Sequence, residues 1–267
     1  EEEGVTLDNF TSFIDKESWK EFMPEGITMQ KFYALRKYYD PDVFRACGKR
    51  IRSKARAADN LAPLERIHRI EDILSTFRNP DKETVITPWR VVNMHLSDTI
   101  GGYDFYDEDH QMPVDEPRYV DRGRPTYKIF EKEEPHILEI NSKSGRYPLY
   151  MTYSIFRERL KQWGNAGLLE NPDKPTMEEQ RAVWDDVVTH NIFVLCKTPM
   201  AVKITKRTLI GYRDVPVRAR CIDNLVDEII NNQEELVKKL KRGKSFWRTK
   251  LENNMIKFDA IVSNPPY

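Results

Sequence analysis

The segment His136-Ile137-Leu138-Glu139-Ile140-Asn141-Ser142-Lys143-Ser144-Gly145 is the key to the fold. Its first six residues read as a buried strand, and Ser142-Lys143-Ser144-Gly145 reads as a turn. Leu149, Tyr153, Phe156, Leu160 and Trp163 then recur at helical spacing on one face. The same strand–turn–helix unit returns downstream. Ile192 to Cys196 is an apolar strand, and Thr198-Pro199 caps a helix that ends at Gly211. Val217, Ala219 and Cys221 alternate as a third strand. Leu225, Ile229, Leu236 and Leu240 mark one long helix, and Phe258 to Val262 is a fourth strand. Thr176 and Glu179 open a further helix with a capping-box pattern. Strands alternating with helices in this way predict an α/β fold built on a parallel, doubly wound sheet.

Upstream the texture is helical. Asp40-Pro41 is an N-cap followed by Pro at the first helical position, and Phe44, Cys47, Ile51, Ala55 and Ala58 make an apolar face. Arg45, Lys49, Arg52 and Arg56 repeat at the same spacing on another face, which suits either phosphate contact or plain solvation. A second helix carries Leu64, Ile67, Leu74 and Phe77 and ends near Asn79-Pro80. These features divide the chain into a helical region, residues 1–80, and an α/β domain, residues 81–267.

The 267 residues balance 43 Lys+Arg against 43 Asp+Glu, so no uniformly basic coat is present. Five Trp, twelve Phe and twelve Tyr exclude intrinsic disorder. No apolar run approaches the roughly 20 residues of a membrane span. Three cysteines without CxxC spacing, Cys47, Cys196 and Cys221, point to reduced thiols and a cytoplasmic setting. The histidines show no ligand spacing, no phosphate-binding GxxxxGK[ST] loop occurs, and no metal site is expected. The acidic, aromatic stretch Gly101 to His110 reads as a turn with solvated acids, and Lys238, Lys239, Lys241 and Arg242 as complements to a helix C-terminus. The chain starts at Glu1-Glu2-Glu3-Gly4 without Met and stops five residues after a strand-like run, on a tetrapeptide that follows Ser263, so it reads as a piece of a longer polypeptide.

Those four residues, Asn264-Pro265-Pro266-Tyr267, carry the chemistry. An exocyclic adenine amine is a poor nucleophile because its lone pair is delocalised into the ring. An Asn side-chain carbonyl and a prolyl backbone carbonyl can accept both amine hydrogens and so orient that lone pair. The prolines stiffen the turn, and the aromatic ring can stack on a base taken out of its duplex. A Pro-Pro turn that simply ends a strand is the plainer alternative.

Placed after an apolar strand, the tetrapeptide resembles the catalytic motif of S-adenosyl-L-methionine-dependent amino methyltransferases. Residues 83–267 as a whole are similar to the N6-adenine DNA methyltransferases of restriction–modification systems. Thr87-Pro88 resembles the Thr-Pro element ahead of the first strand, where the Thr contacts the methionine end of the cofactor; alone, the pair also reads as a helix cap. Glu139, Asn141, Ser142 and Gly145 lie in the cofactor loop, with Glu139 matching the acid that meets the methionine ammonium and Gly145 the second glycine. Ile140 stands where the family has Pro, and Lys143 where it has its first Gly. Cys196 occupies the position of the acid that accepts from the ribose hydroxyls, a second departure. Asp223 resembles the residue that accepts from the cofactor adenine, and also reads as an N-cap for the following helix.

The resemblance implies a Rossmann-like methyltransferase sheet, incomplete here, beside the α-helical N-terminal region. It implies direct methyl transfer from S-adenosyl-L-methionine to a flipped adenine, with Asn264, Pro265, Pro266 and Tyr267 as the catalytic group. The partners implied are double-stranded DNA and nuclease or specificity regions of the same polypeptide or complex, with no membrane. Such a piece alone is expected to be inactive. Methylation of RNA or of a protein glutamine amide uses similar chemistry, and a non-catalytic binding module with a degenerate cofactor site fits Lys143 and Cys196.

Overall fold

The computed structural model describes residues 4–77, 86–123, 128–242 and 256–263. Five helices come first: α1 (Lys16–Phe22), α2 (Met29–Leu35), α3 (Pro41–Ala58), α4 (Pro63–Ser75) and α5 (Trp89–Thr99). An antiparallel hairpin follows, β1 (Gly102–Tyr106) with β2 (Pro113–Val120). The alternating part is β3 (Ile137–Ser142), α6 (Arg146–Asn165), α7 (Met177–His190), β4 (Ile192–Cys196), α8 (Pro199–Ile210), β5 (Arg218–Cys221), α9 (Leu225–Asn231), α10 (Gln233–Arg242) and β6 (Ala260–Ser263).

Strands β3 to β6 form one four-stranded parallel sheet in the order β5-β4-β3-β6. The chain steps outward from β3 through β4 to β5, then returns across β3 to lay down β6 on its other side. Strand order therefore reverses at β3. In open α/β sheets the crevice outside the carboxyl ends of the strands at such a point is where ligands bind.

Period-2 alternation decides what each face of the sheet buries. Ile137, Ile192, Val194 and Cys196 join the main core, with Val92 and Leu96 of α5, Leu149 and Phe156 of α6, Val187 of α7 and Leu209 of α8. Leu138, Phe193 and Leu195 face the other way, against Ile222, Leu225 and Ile256, with Ile229 of α9 and Leu236 of α10 packed alongside. Helices thus cover both faces, as near-continuous apolar strands require. Each such buried side chain contributes roughly 1.5–3 kcal/mol relative to exposure.

The helix signals act as their chemistry dictates. The Asp40 carboxylate accepts from the Asp42 and Val43 amides at 2.8 and 3.1 Å. Thr176 and Glu179 form a reciprocal capping box. Thr198 accepts from the Ala201 amide at 3.2 Å, and Gly211 ends α8. Gly211 has φ +66, and a Cβ there would fall 1.7 Å from Asp59 Oδ1. Both facts require glycine.

The N-terminal helices hold α8 at both ends. At its C-terminus the buried Arg66 of α4 donates to the carbonyls of Thr208, Arg207 and Leu209 at 2.8, 2.9 and 3.2 Å, so a cation meets the negative end of the helix. At its N-terminus Ser18 of α1 accepts from the Met200 amide at 3.2 Å.

Several expectations need correction. The stretch from Gly101 to His110 is a solvated turn only at Glu108 and Asp109: residues 102–106 are β1, and Asp104 is fully buried, paired with Arg118 at 3.0 Å and 2.7 Å from His110. Among the described residues no cluster of His, Cys, Asp and Glu is able to hold a metal ion. The helix read across Leu225 to Leu240 is two, broken at Asn232, because the weak helix formers Asn231 and Asn232 interrupt it. Helix α4 stops at Ser75, leaving Phe77 exposed. Most of the apolar face of α3 is exposed: Ala58 is buried and Phe44 and Ala55 partly so, but Cys47 and Ile51 face solvent beside the basic residues. No helix among the described residues is long and apolar enough to cross a membrane.

Candidate functional site

The carboxyl edge of the sheet gathers most of the residues singled out in the sequence. Strand β3 runs out of register with β4 between Ile140 and Ser142, and Asn141 at this bulge takes φ +71. The loop then passes tightly over α8. The Ser142 and Thr205 hydroxyls are 3.1 Å apart, and Thr208 donates to the Ser144 carbonyl at 2.7 Å. Gly145 has φ +78, and a Cβ on it would lie 3.0 Å from the Thr205 Cα. A glycine is required where the sequence places it.

Arg146, the first residue of α6, ties this loop to elements far away in sequence. Its Nε donates to both Glu71 oxygens at 3.0 Å, and its Nη1 donates to the Thr87 carbonyl at 2.9 Å. The Thr87-Pro88 element is thereby fastened beside the β3 loop, with Pro88 as the N-cap of α5. Val85 lies outside the described residues. Sequence reasoning assigned no role to Arg146 or Glu71, since their pairing spans 75 positions and has no local signature.

Glu139 sits inside the sheet, 2 % exposed. Its Oε2 is buried without a hydrogen-bond partner. Burial pushes its pKa up to about 8, opposed only by the hydrogen bond with Ser142. A buried carboxyl with an unmet oxygen, midway along the central strand, suits a cationic group such as an ammonium.

The ends of β4 and β5 look different. Cys196 is fully buried, its Sγ 3.9 Å from the Thr205 hydroxyl, and burial next to Glu139 and Glu21 holds the thiol well above its ordinary pKa. It is a neutral core residue. Asp223 is exposed after β5, and it is not the N-cap of α9: Asn224 holds that position at φ +53, without a side-chain capping hydrogen bond. On the other side of β3, Ser263 of β6 pairs with Ile140. Asn264, Pro265, Pro266 and Tyr267 follow it in sequence and lie outside the described residues.

Residues 190–267 match the family model of the Eco57I restriction-modification methylases. The chain resembles restriction-modification methylases. The matched stretch takes in β4 to β6, with α8, α9 and α10 between them, and ends on the tetrapeptide. Thr87, Glu139 and Gly145 lie ahead of the matched stretch. No curated protein and no solved structure matches the chain.

Proposed function

We propose that this chain is the cofactor-binding and catalytic portion of a restriction–modification DNA methyltransferase that modifies adenine at N6. In this reading residues 1–80 are a helical region docked on a Rossmann-like methyltransferase domain, residues 81–267. The observation that carries it is the switch at β3: the family-matched strands β4, β5 and β6 flank that strand on both sides, and the tetrapeptide follows the one beside the loop Asn141 to Gly145.

S-adenosyl-L-methionine, when bound, supplies an electrophilic methyl sulfonium. The residues present fit its amino-acid end, because Glu139 offers a buried carboxyl with an unmet oxygen. Thr87 and Pro88 border the same loop through Arg146, while Asn141, Ser142 and Gly145 shape it. Asp223, exposed at the end of β5, faces solvent where an adenine amine would donate to it. Asn264 and the Pro265 carbonyl accept the hydrogens of the target amine, Pro266 stiffens the turn, and Tyr267 stacks on the flipped base. The substrate is double-stranded DNA.

The test is transfer of a labelled methyl group by the full-length protein, offered duplex DNA, RNA and protein in parallel. Label is expected in DNA adenine and lost in Asn264→Ala. Equal labelling by Asn264→Ala, or label only in RNA or protein, would overturn the reading.

A further inference from the structure

Two positions at the carboxyl edge, Lys143 and Cys196, carry the wrong side chains for a simple nucleotide site, and one helix answers both. A ribose diol needs an acceptor, ordinarily a carboxylate near the end of a strand beside the central one. The Cys196 thiol ends β4 buried, turned towards Thr205, and accepts nothing from outside the core. Glu21 of α1 lies close by. Thr198, two residues beyond Cys196, donates its hydroxyl to Glu21 Oε2.

The surroundings fix where this carboxylate stands. It lies in the field of Lys143, from the β3 loop, and of Lys197, which follows β4. Its charge is felt by the thiols of Cys196 and Cys221, the last residues of β4 and β5. Glu21 is therefore held at the start of α8, two residues beyond the end of β4, on the helix whose Phe22 meets Lys143 of the β3 loop. The position is not a chance of a mobile arm. Asp15 caps α1 by accepting from the Ser18 amide at 2.9 Å, Ser18 accepts from the Met200 amide, and Phe22 packs on the main core with the Lys143 ammonium 5.2 Å from its ring centre. The lysine that replaces a glycine thus engages the same helix that brings the carboxylate.

We propose that Glu21, reaching in from the N-terminal helix, is the acceptor for the hydroxyls of the nucleoside ribose, in place of Cys196. The proposal rests on the methyltransferase reading above. It makes α1 part of the cofactor site, and makes Thr198 the residue that positions the Glu21 carboxylate.

Calorimetric titration of the full-length protein with S-adenosylhomocysteine, and with its 2′,3′-dideoxy analogue, tests it. In Glu21→Gln, affinity for S-adenosylhomocysteine is expected to fall about 10- to 100-fold, the loss typical of a charged hydrogen bond, while affinity for the dideoxy analogue changes less than about twofold. Lys20→Ala, an exposed change on the same helix, should leave both unchanged. Unaltered binding of S-adenosylhomocysteine by Glu21→Gln overturns the proposal. An equal loss for both ligands also overturns it, because Glu21 would then only be holding α1 in place. If the wild-type protein binds neither ligand, the methyltransferase reading fails, and the proposal with it.

Discussion

The buried carboxyl of Glu139 makes the stability of this protein depend on pH in a direction opposite to that of an ordinary paired acid. Its pKa is 4.5 for an exposed Glu and about 8 in the fold. Between those values the folded state holds a proton that the unfolded chain has released, so stability falls as pH rises. The loss is about 1.4 kcal/mol for each pH unit, on the order of 5 kcal/mol once pH exceeds 8. Glu139→Gln keeps the shape and an oxygen for Ser142 but carries no titrating group. At pH 5 the amide is expected to cost about 1–3 kcal/mol, because it brings a second buried N–H with no acceptor. At pH 9 the variant should be the more stable protein, by a few kcal/mol. Urea unfolding of both proteins at pH 5, 7 and 9 measures the crossover, and titrations elsewhere in the molecule cancel in the difference. A difference in stability that stays constant from pH 5 to pH 9 would refute the reasoning, since Glu139 would then be ionised in the fold or reached by water.

Two further outcomes follow from the packing around α8. Gly145→Ala places a Cβ 3.0 Å from the Thr205 backbone at φ +78; it should cost about 1–3 kcal/mol and weaken S-adenosylhomocysteine binding, read by urea unfolding and calorimetry. Arg66→Ala removes the cation from three carbonyls and leaves the largely buried Asp59 with the Tyr212 amide but without its ion-pair partner. Unfolding free energy should drop by about 3–5 kcal/mol, and a loss below about 1 kcal/mol would show that water replaces the guanidinium.

The sheet was legible because its signals are local. Ile192 to Cys196 is apolar throughout, is bounded by Thr198-Pro199 and matches β4 residue for residue. Gly211 closes α8 as its position implies. The hairpin was missed for an equally physical reason. Acids and aromatics in Gly101 to His110 imply solvent when read in one dimension, yet Asp104 is buried because Arg118, fourteen residues on, pairs with it and the His110 ring lies 2.7 Å away. The joined helix across Leu225 to Leu240 shows the converse: apolar spacing carried on through Asn232, where the backbone did not.

The candidate site divides in the same way. The position of Gly145 is legible because a tight turn at φ +78 betrays its residue type, and that of Glu139 because it is a lone acid inside an apolar strand. Glu21 was invisible, since its partner Thr198 is 177 positions away and a lone Glu on a short helix looks solvated. Yet of Lys143 and Cys196, which look like damage to a nucleotide site when compared with a family pattern, the first meets Phe22 of α1 and the second packs beside Thr205 of α8. A substituted position counts as lost function only after the elements packed against it have been inspected. Here one of those elements comes from the helical lead-in, whose α1 reaches Thr198 and Met200 at the start of α8 and whose α4 reaches its C-terminus.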